Sequence, residues 1–182
     1  MVMTKVFGRL PTRFLYQKTH ETPPYLEFKP EKEVIPYPLI FLHGILGSKQ
    51  NWRSICHRLA RDHHFKCYSI DTRHHGEWKC SETFNYFKMA EDVKNFLDFH
   101  NIPKVNLVGH SMGGKTAMTF SQLYPDVLST LTVVDIAPIR VRQFSMLNAY
   151  LEAMFSIDLA NKSKDDVRNI MLDKLKVNLI RN

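Results

Sequence analysis

Gly109-His110-Ser111-Met112-Gly113-Gly114-Lys115-Thr116 fits two chemical patterns at once. It is the G-x-S-x-G elbow that presents a nucleophilic serine, and equally the G-x-x-x-x-G-K-T loop that cradles nucleotide phosphates. Both need a buried strand running into a sharp turn and then a helix. Val105-Asn106-Leu107-Val108 supplies the strand, and Thr116 to Leu123 the helix, which ends before Pro125. The next apolar run, Leu131-Thr132-Val133-Val134-Asp135, serves both readings too, because an acid at a strand end helps to hold Mg²⁺ in phosphate-loop enzymes.

The upstream sequence separates them. Leu39-Ile40-Phe41-Leu42 is a continuous apolar run followed at once by His43-Gly44-Ile45-Leu46-Gly47-Ser48. Acyl transfer at a serine places negative charge on one oxygen of the tetrahedral intermediate, and fixed backbone N–H groups stabilise it. One donor follows the nucleophile, here Met112. The other comes from a loop after an earlier strand, here Ile45, with Gly44 expected to let the chain turn. A phosphate loop has no use for such a second glycine turn. It also tends to follow the first strand, whereas Leu39 to Leu42 and Phe65 to Ile70 both read as strands before this one. Gly109 and Gly113 are expected to leave room where strand and helix pass, with Ser111 in a strained conformation. His110 reads as a packed neighbour of the nucleophile, since a general base must reach the serine Oγ from another loop.

The loop and the elbow resemble the α/β-hydrolase family, together with Asp71-Thr72-Arg73-His74-His75-Gly76, Met89-Ala90-Glu91-Asp92-Val93 and Val133-Val134-Asp135-Ile136-Ala137-Pro138. The resemblance runs from about Pro38 to about Ile157 and is strongest to the mitochondrial esterase and lipase branch. It implies an α/β fold, a mostly parallel sheet flanked by helices. It also implies hydrolysis of esters or thioesters of acyl or lipid substrates through an acyl-serine intermediate, with neither metal nor cofactor. Ser111 would be the nucleophile, Ile45 and Met112 the oxyanion donors, and Gly44, Gly109 and Gly113 the loop and elbow glycines. Some esterases resembling this chain use an aspartate at the position of Asp135 as the triad acid. Asp135 therefore stands as a candidate acid beside the plain reading of a strand-ending residue. Lys115 and Thr116 become ordinary residues of the helix after the elbow.

In this family the acid and the histidine follow the serine along the chain. Here all nine histidines lie at or before position 110. After the elbow, Phe144, Leu147, Leu151 and Met154 recur at helical spacing. Ser163 opens a second helical run with Asp166 as its capping partner and Val167, Ile170, Met171 and Leu175 on one face. The pair resembles the helical cap of the family. The expectation is a partial core over residues 21–137 and a cap segment over 138–182, a fold that stops after the sixth strand and part of the cap. Turnover would be very weak or absent, because no imidazole takes the serine's proton. Three readings follow: a piece of a longer hydrolase, a non-catalytic form that binds ligands or partners, and a subunit completed in trans. An apolar strand left without a neighbour also invites self-association. His43 is expected to organise the oxyanion turn, and His74 and His75 to occupy a surface turn.

Composition bounds the rest. At 182 residues and 44% hydrophobic content the chain is long enough for one domain with a real core. No apolar run approaches the roughly 18 residues of a membrane span. Cys56, His57, His63, His64, Cys67, His74, His75 and Cys80 invite a zinc reading, but no two cysteines stand in a close C-x₂₋₄-C pair, which speaks against one. Three cysteines in no such pair read as free thiols. The net charge of +7 is uneven: Lys5, Arg9, Arg13 and Lys18 all precede the first acid, Glu21, and without them it falls to +3. That balance gives no sign of nucleic-acid binding. The basic, hydroxylated, acid-free segment 1–20 reads as a mitochondrial presequence, although Pro11 interrupts any helix there.

Overall fold

The computed structural model describes residues 22–32, 35–79, 83–139, 144–158 and 160–180, with the backbone alone over 144–149 and 175–180. The presequence reading lies outside the described residues. Two compact units result, one reaching Pro138 and one from Ile139 onward.

The first unit is built on five strands, β1 (Tyr25–Phe28), β2 (Leu39–Leu42), β3 (Cys67–Ile70), β4 (Val105–His110) and β5 (Leu128–Val134), in the order β1-β3-β2-β4-β5. β1 runs antiparallel to β3, and the other neighbours are parallel. Counted along the described chain, the strand ending at Val134 is thus the fifth, against the six of the family scheme. The described residues between Phe28 and Leu39 add no strand. Pro30, Pro36 and Pro38 lack the N–H a ladder needs, and the described part of this stretch is bend and coil.

Three helices complete the layers: α1 (Arg53–His63), α2 (Tyr86–Phe99) and α3 (Met112–Leu123). Alternation along the strands decides which side each covers. Ile40, Leu42, Tyr68, Ile70 and Leu107 pack with Ala90, Val93 and Phe96 of α2 and Ala117 and Phe120 of α3. Phe41, Cys67 and Val108 point the other way, onto Cys56 and Leu59 of α1. Burying each large side chain completely contributes about 1.5–3 kcal/mol. The sheet is therefore clothed on both faces, as parallel strands require.

Topology then places the site. From β2 the chain goes through α1 on one face to β3, while from β4 it goes through α3 on the opposite face to β5. The carboxyl ends of the adjacent strands β2 and β4, in register at Leu42 and Gly109, thus open a crevice between diverging loops. β5 is the outer strand among the described residues, and Ser129 to Thr132 on it are exposed.

The second unit contains α4 (Phe144–Phe155) and α5 (Lys164–Ile180). Ser163 caps α5: its Oγ accepts the Asp166 N–H at 3.1 Å while the Asp166 carboxylate accepts the Ser163 N–H at 3.2 Å and its hydroxyl at 2.6 Å. Lys174 on α5 donates to Ser156 Oγ beyond α4 at 2.7 Å. No described helix is long and apolar enough to cross a membrane.

Candidate active site

Ser111 stands between β4 and α3 with φ 51° and ψ −113°. This is a sterically costly conformation for a residue with a Cβ, and the surroundings must hold it. Its N–H donates to Val134 O on β5 at 3.0 Å, and its carbonyl accepts from Lys115 N at 3.0 Å. The glycines around it are dictated by proximity. A Cβ on Gly109 would run into the Gly113 backbone, and one on Gly113 would lie 2.5 Å from Leu42 O and 2.7 Å from His43 O. Thr116, which would have to face a metal-bound phosphate in a nucleotide loop, is fully buried and donates to Met112 O at 3.1 Å and Met89 Sδ at 3.6 Å.

The loop after β2 lies directly beside the elbow. A Cβ on Gly44 would stand 2.9 Å from His110 Nδ1 and 3.4 Å from Ser111 Cβ. Leu46, at φ 60°, takes the left-handed conformation in this turn, and what crowds Gly44 is the His110 ring, with Ser111 Cβ at ordinary contact distance. Ile45 follows Gly44 and is 41% exposed; Met112 opens α3 and is buried. Asp135 sits past the end of β5 at φ 53°, 89% exposed, with Oδ2 3.9 Å from His110 Nε2. Among the described residues no imidazole is bonded to Ser111 Oγ, and no three His, Cys, Asp or Glu side chains are gathered to hold a metal ion.

Three consecutive residues after β3 anchor the crevice. Asp71 is fully buried; its carboxylate accepts Lys49 N at 2.7 Å, Lys49 Nζ at 2.9 Å and Glu77 N at 2.9 Å. Burial pushes this carboxyl up, but the Glu77 and Lys49 amides and the Lys49 ammonium together hold it below the ordinary aspartate value. Gly76, at φ 58°, is required because any Cβ there would strike that carboxylate. Thr72 donates its N–H to His43 Nε2 at 3.1 Å. Arg73, 3% exposed, grips Asp92 of α2 in a two-pronged pair at 2.7 Å and donates to Thr83 O at 2.7 Å. His75 is half-buried and faces the His43 ring at 5.3 Å, so it belongs to this packing as much as to a surface turn.

The residues 37–173 match the model of the alpha/beta hydrolase fold. The chain belongs to the α/β-hydrolase fold family. Among curated relatives it is 36% identical to sn-1-specific diacylglycerol lipase ABHD11 of Danio rerio, over 76% of this chain and 44% of that protein. It is 36% identical to a probable alcohol acetyltransferase of Wickerhamomyces anomalus, over 70% of this chain and 37% of that one. A solved marine microorganism esterase superposes with a TM-score of 0.74 at 34% identity, covering 88% of this chain and 61% of that one. The chain thus spans less than two thirds of the length of each of these proteins. As a member of that family, it places the strained Ser111 turn and the loop after β2 together at the carboxyl ends of β4 and β2.

The sequence reading missed Lys49, Thr72 and Arg73. The signal for Arg73 was present, since its stretch and that of Asp92 were both among those resembling the family, but their pairing was not.

Proposed function

We propose that this chain is a serine-hydrolase scaffold for ester or thioester bonds of small acyl or lipid substrates, acting through an acyl-serine intermediate at Ser111. The observation that carries it is the strained Ser111 lying against Gly44 of the loop after β2. In this reading Ser111 Oγ attacks the carbonyl carbon, the N–H groups of Ile45 and Met112 hold the oxyanion, and Asp135 is the candidate acid. The names of the esterase and lipase relatives support it. Turnover by the chain as it stands is very weak, because none of the nine histidines follows Ser111. Losing the histidine of a serine triad removes about 10⁶-fold of kcat and leaves roughly 10³–10⁴-fold from the oxyanion hole and binding.

The test is labelling by a fluorophosphonate, located by peptide mass spectrometry. Slow modification confined to Ser111, accelerated by added imidazole and absent in Ser111→Ala, is the expected result. Labelling that ignores the Ser111→Ala change removes the hydrolase reading and leaves a ligand- or partner-binding module.

Two further parts of the proposal have separate support. Segment 1–20 has the composition of a mitochondrial presequence, so import and processing by isolated mitochondria is expected. β5 carries no charge along Leu128–Val134 and exposes its middle, so a second copy is proposed to pair along that edge, read as a concentration-dependent dimer in sedimentation.

A further inference from the structure

The Gly44 carbonyl and the Ile45 N–H belong to one planar peptide unit, in which they point in opposite directions. Whatever fixes the carbonyl therefore aims the N–H. The carbonyl is held twice, by Gly47 N at 3.1 Å and by His43 Nδ1 at 2.8 Å. The second contact fixes the tautomer of His43: Nδ1 carries the hydrogen and donates, leaving Nε2 as a lone pair that accepts the Thr72 N–H at 3.1 Å. The Thr72 hydroxyl stands 3.3 Å from the same nitrogen. His43 is 1% exposed and needs no contact with substrate to do this.

We propose that His43 is a positioning residue that aims the Ile45 N–H by tying the oxyanion loop to the turn after β3, and that a proton taken up at Nε2 releases the tie. Protonated, Nε2 would present a hydrogen to the Thr72 N–H, donor against donor, and one side must move. Burial already holds this imidazole below the ordinary histidine value, with the Gly44 carbonyl pulling it up. The charged and titratable groups facing it are His75 and Asp71 on the turn, with Lys49 and Glu77 on Asp71, and His110 beside Gly44. His75 opposes a proton on His43, and Asp71 favours one. The hydrolase reading supplies the purpose of the aimed N–H, while the coupling of ring and loop stands without it.

Nitrogen-edited NMR of the whole chain reads the coupling directly. The expected result is an Nδ1–H tautomer at neutral pH, and Ile45 and Thr72 amide signals that move on acidification with the same midpoint as the His43 ring. His43→Asn, whose amide replaces Nδ1–H, should keep the Ile45 signal near its neutral position and abolish its titration. His43→Ala should displace it at every pH and slow fluorophosphonate labelling of Ser111 about tenfold or more relative to His43→Asn. An Nε2–H tautomer, an Ile45 amide indifferent to His43 protonation, or a measurable labelling rate that is equal in wild type and His43→Ala overturns the proposal. If His43→Ala does not fold, the wild-type titration and His43→Asn still decide. Should Ser111 prove inert while the two amides follow the ring, the hydrolase reading falls and the positioning role stands.

Discussion

A buried histidine, His43, and a half-buried one, His100, show how little burial alone says about a role. His43, past the carboxyl end of β2, has both ring nitrogens engaged, one by Gly44 and one by Thr72. His100, past the end of α2, sits among Phe96, Tyr25, Phe99 and Tyr68 with ring centroids 4.3, 4.9, 5.0 and 5.5 Å away. Its Nε2 is buried without a hydrogen-bond partner among the described residues. Burial lowers the pKa of both below the ordinary histidine value. The first ring is a tie between two loops, and the second is filler in an aromatic box.

Removing a partner should cost most near His43. Asp92→Ala removes both carboxylate bonds to the buried Arg73 guanidinium and is expected to lose about 3 kcal/mol, measured as a urea midpoint shift. His43→Phe orphans the Thr72 N–H and removes one of the two donors to Gly44 O, and the expected loss is on the order of 3 kcal/mol by the same measurement. His100→Phe, by contrast, keeps the box filled and removes an unpaired nitrogen, so it should lie within about 1 kcal/mol of wild type. A loss at His100 as large as that at His43 would break the comparison.

Acid sharpens the contrast. Because both imidazoles titrate lower when folded than the ordinary value of 6.5, the unfolded chain binds their protons first. Their contribution is complete above pH 6.5 and is lost as pH falls from there through the folded values. Asp71 acts in a separate window, its contribution lost only as pH falls below 3.8 through its folded value. Thermal melts from pH 7 to pH 4.5 should therefore flatten in His100→Phe by one of the two imidazole contributions. The smallest effect is expected for Glu27→Gln, whose links to Tyr68 and Lys66 border that box in a partly exposed pair, at about 1 kcal/mol or less.

The two regions also differ in what the sequence could reveal. The elbow was legible because Gly109, Ser111 and Gly113 carry their geometry in their spacing, and Ser163 with Asp166 announced its helix in the same local way. Lys49 and Asp71 were not, because a charge in a sequence reads as a solvated surface until parallel register buries it. Thr72 and His43 meet only because β2 and β3 are aligned from Leu39 with Cys67 to Leu42 with Ile70. Asn106 is a further case: a polar residue in a buried strand that donates to Tyr37 O at 2.9 Å and accepts from Thr130 Oγ1 at 2.8 Å. Its partners follow from the sheet and have no mark in the local pattern. The loop after β2 is a last case: its left-handed residue is Leu46 rather than a glycine, and the ring that crowds Gly44 is that of His110, far along the chain.

The strand order has a kinetic consequence. β4, α3 and β5 are consecutive, so the strained Ser111 turn is closed by contacts local in the chain. The loop at Gly44 reaches it only when β2 pairs with β4, after α1, β3 and α2 have been threaded between them. Loop-closure entropy delays such distant pairings. The two halves of the crevice should therefore ripen at different times during refolding, the Ser111 turn early and its contact with the Gly44 loop late.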